Sequence, residues 1–437
     1  MINVLEIEFG GFKNVEKFRM DFSKDNMIGL VSENNYGKSN VLGALSFISE
    51  FIQASTNVKK AMMSDGGLIP LNKKIQNSNF FANIIFEYYQ NDVSYYSIYS
   101  FEFEWVKQQK TGDPLGARII SERLISKLND KKQKYQALIN RTTDSCLYKA
   151  SESGRCSTKI KENDCGLVIN RLLAFPDLFF EKLVEEINIM TFYLESHLDA
   201  RFAFVVNPII PKDMQEFDLV KDNHQLPKQL HTLKIKDEAC YKQIISKCEY
   251  LFSNIEYLSV EKLDIQGMPP SFPDGMGDIP FKIDNAIYVL YYRDKYLNQD
   301  LSFEQMSDGV KRIVLLLTNL VLAQKNQISL MAIEEPENSI HPKLLQAYID
   351  IIKEFSNHMK LVFTSHSPYF VSTLNISNVM VGLPNEDGLA EFGALVNPKA
   401  FKALSAKLDE TDGECVFNLL NDESSQLRDF WMQSGGE

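Results

Sequence analysis

Four short segments carry residue types that do chemistry only in combination: SENNYGKSN at 32–40, QMSDGVKR at 305–312, SLMAIEEPENSIHP at 329–342 and VFTSHSP at 362–368. The first offers an ammonium, a hydroxyl and small residues that expose backbone N–H groups. The third offers two carboxylates and the fourth an imidazole. These are the groups needed to hold a polyphosphate with a divalent cation and to aim a water at it.

MIGLV at 27–31 reads as a short apolar strand and NVLGALSFI from Asn40 as a helix, so the first segment stands between strand and helix, where a phosphate-binding loop has its meaning. N–H groups at a helix start, backed by the helix dipole, make an anion cradle. Ser32, Asn34, Asn35, Gly37, Lys38, Ser39 and Asn40 are the expected nucleotide contacts. Lys38 would reach the β- and γ-phosphates and the Ser39 hydroxyl would ligate Mg²⁺. The usual pattern begins with Gly where this chain has Ser32; Ser tolerates positive φ poorly, whereas Asn34 and Asn35 tolerate it better.

ISLMAI is a continuous apolar run ending in Glu334 and Glu335, the way a buried parallel strand delivers carboxylates to the carboxyl edge of a sheet. Glu335 is expected to orient the attacking water; Glu334 stands where ATPases of similar pattern usually carry Asp, a resemblance that implies a part in holding hydrated Mg²⁺. The plain alternative is an acidic, solvated turn after a core strand. His366 follows the run LVFTS, 31 residues beyond Glu335. A lone His after a core strand is more often structural; its company makes it a catalytic candidate beside Lys38 and Glu335. Ser307 and Gly309 open the apolar helix VLLLTNLVLA and would form a second helix-start anion cradle, although MSDG alone is only a turn.

The four segments, in this order, resemble those of ATPases of the ABC/SMC head type. The chain is similar to the RecF/SMC/OLD-related AAA-15 and AAA-21 ATPases of bacterial defence islands, including the ATPase subunits of PARIS- and Septu-type systems. VLEIEFGGFKNVEKFRMDF is similar to that family's first strand pair, and NSNFFANIIFEYYQNDVSYYSIYSFEF resembles its antiparallel lobe. The resemblance implies an α/β fold: an ABC/SMC-type head with a P-loop mixed sheet, an antiparallel β lobe and an inserted helical lobe. Its parts would be an N-terminal part of the head at 1–110, a mainly helical insertion at 111–254, a C-terminal part of the head at 255–380 and a helical tail at 381–437. It further implies ATP and Mg²⁺ as cofactors, hydrolysis to ADP and phosphate, and His366 as a γ-phosphate-sensing switch. In this class the signature cannot reach the nucleotide on its own P-loop. Ser307 and Gly309, with Arg312 supporting the helix start, would therefore meet the γ-phosphate held by a second subunit in a head-to-tail homodimer or larger oligomer. The Q-loop glutamine stays open among Gln53, Gln76 and Gln90.

With 437 residues, 44% of them hydrophobic, the chain can bury a large core. Nothing at its N-terminus resembles a signal peptide, and IVLLLTNLVLA at 313–323, flanked by Lys311 and Arg312, is too short to span a bilayer. The expectation is a cytoplasmic protein without a membrane partner. Cysteines at 146, 156, 165, 240, 248 and 415 form no CxxC pair, which argues against a zinc hook or ribbon and for free thiols.

The segment between Trp105 and Glu256 is expected to be helical over SERLISKLNDKKQKYQALIN, FPDLFFEKLVEEINIMTFYLESHL and EACYKQIISKCEYLFSNI, each too short for a DNA-spanning coiled coil. Between Lys107 and Lys161 stand thirteen Lys/Arg and five Asp/Glu, in a chain of formal charge −12. Such a segment is either a contact surface for phosphates or an acidic partner, or a solvated face, and aromatic residues do not interleave it as nucleic-acid binding would favour. GMPPSFPDGMGDIP at 267–280 reads as a loop before the strand FKIDNAIYVLYY.

OLD nucleases carry a Toprim domain after the ATPase. Here 71 residues follow His366, and LDETDGEC at 408–415 reads as an acidic cap between terminal helices rather than a metal site. The reading that results is an ATPase subunit of an anti-phage complex controlling a separate Toprim or HNH nuclease, with a phage-encoded trigger. A RecF-like DNA clamp, with nucleic acid on the 107–161 segment, and an ATP-locked scaffold that barely hydrolyses are the alternatives.

Overall fold

The structure, a computed structural model, describes residues 2–64, 69–91, 93–107, 116–130, 132–196, 200–205, 208–211, 219, 226–265, 281–383, 385–395, 397–421, 427 and 430–433. Two compact units are present: Met1–Glu195 with Ile328–Pro336 and Met359–Glu437, and Ser196–Gln327 with Glu337–His358.

In chain order the first unit opens with β1 (Ile2–Phe12), β2 (Val15–Asp21), β3 (Met27–Val31), α1 (Lys38–Gln53) and α2 (Thr56–Ser64). There follow β4 (Phe80–Gln90), β5 (Val93–Glu104), β6 (Arg118–Leu128), β7 (Gln136–Arg141), β8 (Cys146–Lys149) and β9 (Cys156–Lys159). Helices α3 (Val168–Leu172) and α4 (Glu181–Ile189) lead into β10 (Phe192–Glu195). The second unit supplies α5 (Ala200–Ala203), β11 (Ile209–Pro211), α6 (Leu226–Lys236), α7 (Glu238–Leu251), β12 (Ile255–Asp264), β13 (Phe281–Ile283), β14 (Ala286–Asp294), β15 (Leu301–Ser302) and α8 (Asp308–Lys325). The chain returns to the first unit as β16 (Leu330–Glu334), gives α9 (Pro342–Phe355) to the second, and ends in the first. That last stretch holds β17 (Lys360–Thr364), α10 (Pro368–Ser372), β18 (Val379–Leu383), β19 (Glu391–Leu395), α11 (Pro398–Leu408), α12 (Asp412–Asn421) and β20 (Trp431–Gln433).

Two sheets build the first unit. One has the order β10-β16-β17-β3-β18-β19-β20, parallel from β10 to β18 and antiparallel beyond. Every residue of β3 and β17 is buried, as expected of parallel strands covered on both faces. The other sheet is antiparallel, β2-β1-β4-β5-β6-β7-β8-β9. Its β4 alternates strictly, sending Phe80, Ala82, Ile84, Phe86 and Tyr88 inward. Helix α1 meets that face with Phe47 and Phe51: Phe51 stacks on Phe103 at 4.7 Å between ring centroids, and Phe47 meets Phe80 edge-on at 5.1 Å. One apolar cluster joins α1 to both sheets, so the helix that starts at the phosphate loop is clamped along its length.

Local structure departs from the sequence reading in three places. Residues 121–140, expected as a helix, form the hairpin β6–β7, which with β8 and β9 extends the antiparallel sheet. Pairing with β5 across Arg118–Leu128 overrides the helical charge pattern, because a β5 edge otherwise offers a row of unpaired backbone groups. The second expected helix stops at Ile189, and Phe192–Glu195 becomes a parallel strand beside β16. Within the expected helical tail, Val379–Leu383 and Glu391–Leu395 are strands, the first paired in parallel with β3. Residues 267–280 lie outside those described, and the strand expected from Phe281 divides into β13 and β14.

In the second unit β12, β14 and β15 form an antiparallel sheet. Helix α7 is capped by Asp237, which accepts from the Cys240 N–H (3.2 Å) and pairs with Lys325 on α8 at 2.5 Å. Lys311–Ala323 of α8 are all buried. Among the described residues no helix is long and apolar enough to cross a membrane.

Candidate active site

Strands β16, β17 and β3 are neighbours in parallel register, with Glu334 opposite Thr364 and Thr364 opposite Leu30. The ends of three strands are therefore abreast at one edge of the sheet, about 4.8 Å apart. Ser32 follows β3, Glu335 follows β16 and His366 follows β17, so segments over three hundred residues apart deliver their polar groups to one place. This is the carboxyl edge where open α/β sheets bind ligands.

The 32–40 segment has the backbone its composition suggests. Asn35 and Gly37 take positive φ (60° and 105°), while Ser32 is not among the residues that do. The Ser32 departure is absorbed elsewhere: a Cβ on Gly382 of β18 would lie 2.7 Å from the Ser32 Cβ, so glycine at 382 makes room for the serine. Gly37 is the N-cap of α1, and no side chain caps that helix. The N–H groups of Lys38, Ser39 and Asn40 precede the first intrahelical bond, Val41 N–H to Gly37 carbonyl at 3.0 Å. With no acidic residue in the first turn, the helix start presents positive potential alone.

Lys38 is buried, and its Nζ donates to the Ser32 carbonyl (2.7 Å), the Ser32 hydroxyl (3.3 Å) and the Glu33 carbonyl (3.0 Å). Burial pulls its ammonium down to about 8, opposed by the fields of Glu335 and Glu334. Glu335 takes a left-handed φ of 45°, uncommon for a carboxylic residue, and its N–H bonds the Thr364 carbonyl at 3.0 Å. The His366 Nε2 is 3.7 Å from the Glu335 carboxylate. Burial and the Lys38 charge depress the imidazole, while Glu335 pulls the other way. Lys38 thus feels Glu334, Glu335 and His366, and His366 feels Lys38 and Glu335, while Ser39 sits exposed at the head of α1.

Asn40 acts as a brace: its amide donates to Asn14 Oδ1 (2.8 Å) in the β1–β2 turn. The Asn14 carbonyl accepts from Ala390 N–H (2.9 Å), and a Cβ on Gly37 would meet both Ala390 and Asn14. Asn14 is thus a second half of that brace, and the sequence reading missed it because nothing in GGFKNVEKF marks one Asn as special. Thr364 was likewise passed over although its carbonyl anchors Glu335. Asn34 is exposed in the loop. Of the Q-loop candidates, Gln53 ends α1, about 22 Å along the helix from Lys38, and bonds the Met190 carbonyl and Thr191. Gln90 accepts from Tyr88 at the end of β4, and Gln76 is exposed in a turn.

In the second unit Ser307 is the exposed N-cap of α8, its hydroxyl making no capping bond. A Cβ on Gly309 would lie 2.2 Å from the Ser339 carbonyl, so this glycine is required by close backbone approach. Lys311 and Arg312 are buried one turn on. The acids at 408–415 serve helix ends: Asp412 accepts from Ser405 (2.7 Å), Glu414 from the Thr411 N–H (2.9 Å), and Glu410 from Asn418 (2.7 Å).

An uncapped helix start with its lysine and serine, and two carboxylates at the end of β16 whose fields act on that lysine, form a set of groups that fits a nucleoside triphosphate with a divalent cation. Comparison with known proteins bears on the same segments. No curated protein matches the chain. Among solved structures it is similar to an SMC head bound to the C-winged helix domain of ScpA (14% identity, TM-score 0.49, covering 92% of this chain and 99% of that one). It is also similar to the SMC head domain from Thermotoga maritima (11% identity, TM-score 0.42, 90% and 99%). Those scores are too low to transfer geometry between chains. The family model described as "AAA domain, putative AbiEii toxin, Type IV TA system" matches residues 30–372, which takes in the phosphate loop, the signature segment, the paired glutamates and His366. That span is most of the chain, and this protein belongs to that AAA family.

Proposed function

We propose that this protein is an ATP-hydrolysing head whose turnover controls a separate effector in an anti-phage defence complex. The observation that supports the catalytic part is the register of β16, β17 and β3, whose ends carry Glu334, Glu335 and His366 to the edge where α1 begins, with Lys38 in the fields of both glutamates and His366 in those of Lys38 and Glu335. Lys38 and the α1 N–H groups bind and orient the phosphates. The Ser39 hydroxyl and the Glu334 carboxylate would hold Mg²⁺, which would supply neutralisation of charge on the phosphoryl oxygens. Glu335, held by Thr364, orients the attacking water and takes up its proton. His366, kept neutral by burial and Lys38, offers a hydrogen bond that reports on the γ-phosphate. Phosphoryl transfer asks little more of a protein than such positioning.

Ser307 and Gly309 would complete the site of a second copy, making ATP the bridge of a homodimer or larger oligomer. The defence assignment is supported by the family description, which names a putative toxin of a toxin–antitoxin system. The effector would be a Toprim or HNH nuclease and the trigger a phage component. The test is ATP hydrolysis with Mg²⁺ for wild type, Lys38→Ala and Glu335→Gln, beside the mass in solution with and without ATP. Glu335→Gln should lower kcat by at least about 100-fold and accumulate an ATP-dependent dimer. Undiminished hydrolysis in both variants would sink the assignment.

A further inference from the structure

We infer that the outward face of the antiparallel sheet is an interface between two copies of this chain, separate from any bridge that ATP makes. Alternation along β4 and β5 divides their side chains between the core and the opposite face. On that opposite face Ile85 of β4, Ile98 of β5 and Ile125 of β6 stand abreast in register, and Ala137 of β7 continues the row. All four are partly exposed and lie outside the apolar cluster that α1 joins. Phe81 covers Gly10 on the same face, its ring 2.6 Å from where a Cβ would stand. The Lys127 ammonium lies over the Tyr96 and Tyr135 rings, 5.9 and 4.9 Å from their centroids, so both rings belong to this face. Apolar and aromatic side chains in one continuous strip are the composition of an interface centre rather than of a solvated face.

Charge selects the occupant. In one row across the strands Glu87 and Lys127 flank Tyr96, and in another Asn83 and Arg123 flank Ser100. The acids of β1 are matched within the sheet, Glu6 by Arg19 (2.7 Å) and Glu8 by Lys17 (3.1 Å). Farther along β5, Glu104 pairs with Arg118 (2.8 Å) and Glu102 accepts from Asn79 (2.7 Å). The centre of the face is therefore polarised about β5, anionic on β4 and cationic on β6. A uniformly acidic or basic partner would match one half and repel the other, whereas a second copy matches both. A two-fold axis parallel to β5, midway between two stacked sheets, lays β4 of each copy over β6 of the other. Glu87 of each copy then meets Lys127 of the other, and the isoleucine rows pack together between the two charge pairs. The face runs about 27 Å from Phe81 to Tyr89 and about 24 Å across the five strands from β1 to β7, so two copies would cover about 1,300 Å² together, the size of a specific interface. Combined with an ATP bridge on another surface, this contact would link dimers into larger assemblies.

The test is the mass of the full chain in solution without nucleotide, by sedimentation equilibrium over a dilution series, with thermal unfolding as the control for folding. Wild type should form a dimer that dissociates on dilution. Lys38→Ala, which disables the proposed ATP site, should form the same dimer, so this inference and the ATPase reading fail independently. Glu87→Lys and Lys127→Glu each set two like-charge pairs across the two-fold axis and should raise the dissociation constant at least about 100-fold, about tenfold for each pair. An equimolar mixture of those two variants should associate as wild type does, because each then supplies the charge that the other has lost. Ile98→Lys, in the middle of the apolar row, should be folded and monomeric. A wild-type monomer at every dilution, a dimer that forms only with ATP, single reversals that associate like wild type, or reversals that their mixture does not rescue would each overturn the inference; in the first case the face is left to a different protein.

Discussion

Replacing Gly309 by Ala tests whether the signature segment acts through its backbone. The added methyl would stand 2.2 Å from the Ser339 carbonyl, and real Cβ atoms essentially never come within 3.0 Å, so the two segments must part by at least 0.8 Å. Both partners are backbone, so no rotamer change relieves the clash. Gly309 does not have positive φ, which leaves space as the sole reason for glycine and makes alanine a clean probe. Overpacking of this kind costs about 1–3 kcal/mol of stability. Its larger effect falls on catalysis, because a displacement near 1 Å in a positioning element costs on the order of 100-fold in rate. The expected result is a kcat for ATP reduced by about two orders of magnitude with the folded state retained, read by steady-state hydrolysis beside thermal unfolding. Ser307→Ala, which removes a hydroxyl without a clash, should lower kcat with no change in stability. Wild-type turnover in Gly309→Ala would refute the idea that the Ser307–Gly309 segment contributes to the site.

Two further outcomes concern the scaffold around α1. Glu122 is fully buried and accepts from the N–H groups of Val168 (2.5 Å) and Ile169 (2.9 Å) and from the Tyr99 hydroxyl (3.0 Å); Glu122→Ala strands three donors and should cost about 3–5 kcal/mol in urea unfolding, and a loss below about 1 kcal/mol would show that the network is not needed. Lys59, also fully buried, donates to the Ile52 and Ala54 carbonyls at the end of α1, and burial lowers its ammonium to about 8. Because the folded value lies below the unfolded one, the unfolded chain holds a proton that the native protein sheds between pH 8 and 10.5. Stability attributable to Lys59 should therefore rise across that window by about 3 kcal/mol, relative to Lys59→Met, whose profile lacks the rise. Parallel profiles for the two proteins would refute the burial penalty.

Strand ends and motif order were legible because their residue types are forced by chemistry. Residues 27–31, 330–333 and 361–363 are apolar runs, buried throughout, and each hands polar residues to the same edge. The 118–159 region was not legible, since residues 121–140 have a charge spacing that suits a helix surface and only the partner strand β5 makes them a sheet. The strands at 379–395 were hidden for a related reason: their register is set by β3, more than three hundred residues earlier.

The same distance effect explains the loop's atypical first residue. Read locally, Ser32 weakens the phosphate-loop pattern, because glycine there is expected to serve backbone freedom. In the fold the freedom is needed at Asn35 and Gly37, and the constraint at 32 is space, supplied by Gly382 on a strand that the sequence reading took for a helical tail. A motif's missing glycine can therefore stand on the neighbouring strand rather than at its expected position. Gly382 is accordingly part of the architecture of the 32–40 segment, and a Cβ there would press on Ser32 and Tyr36 together.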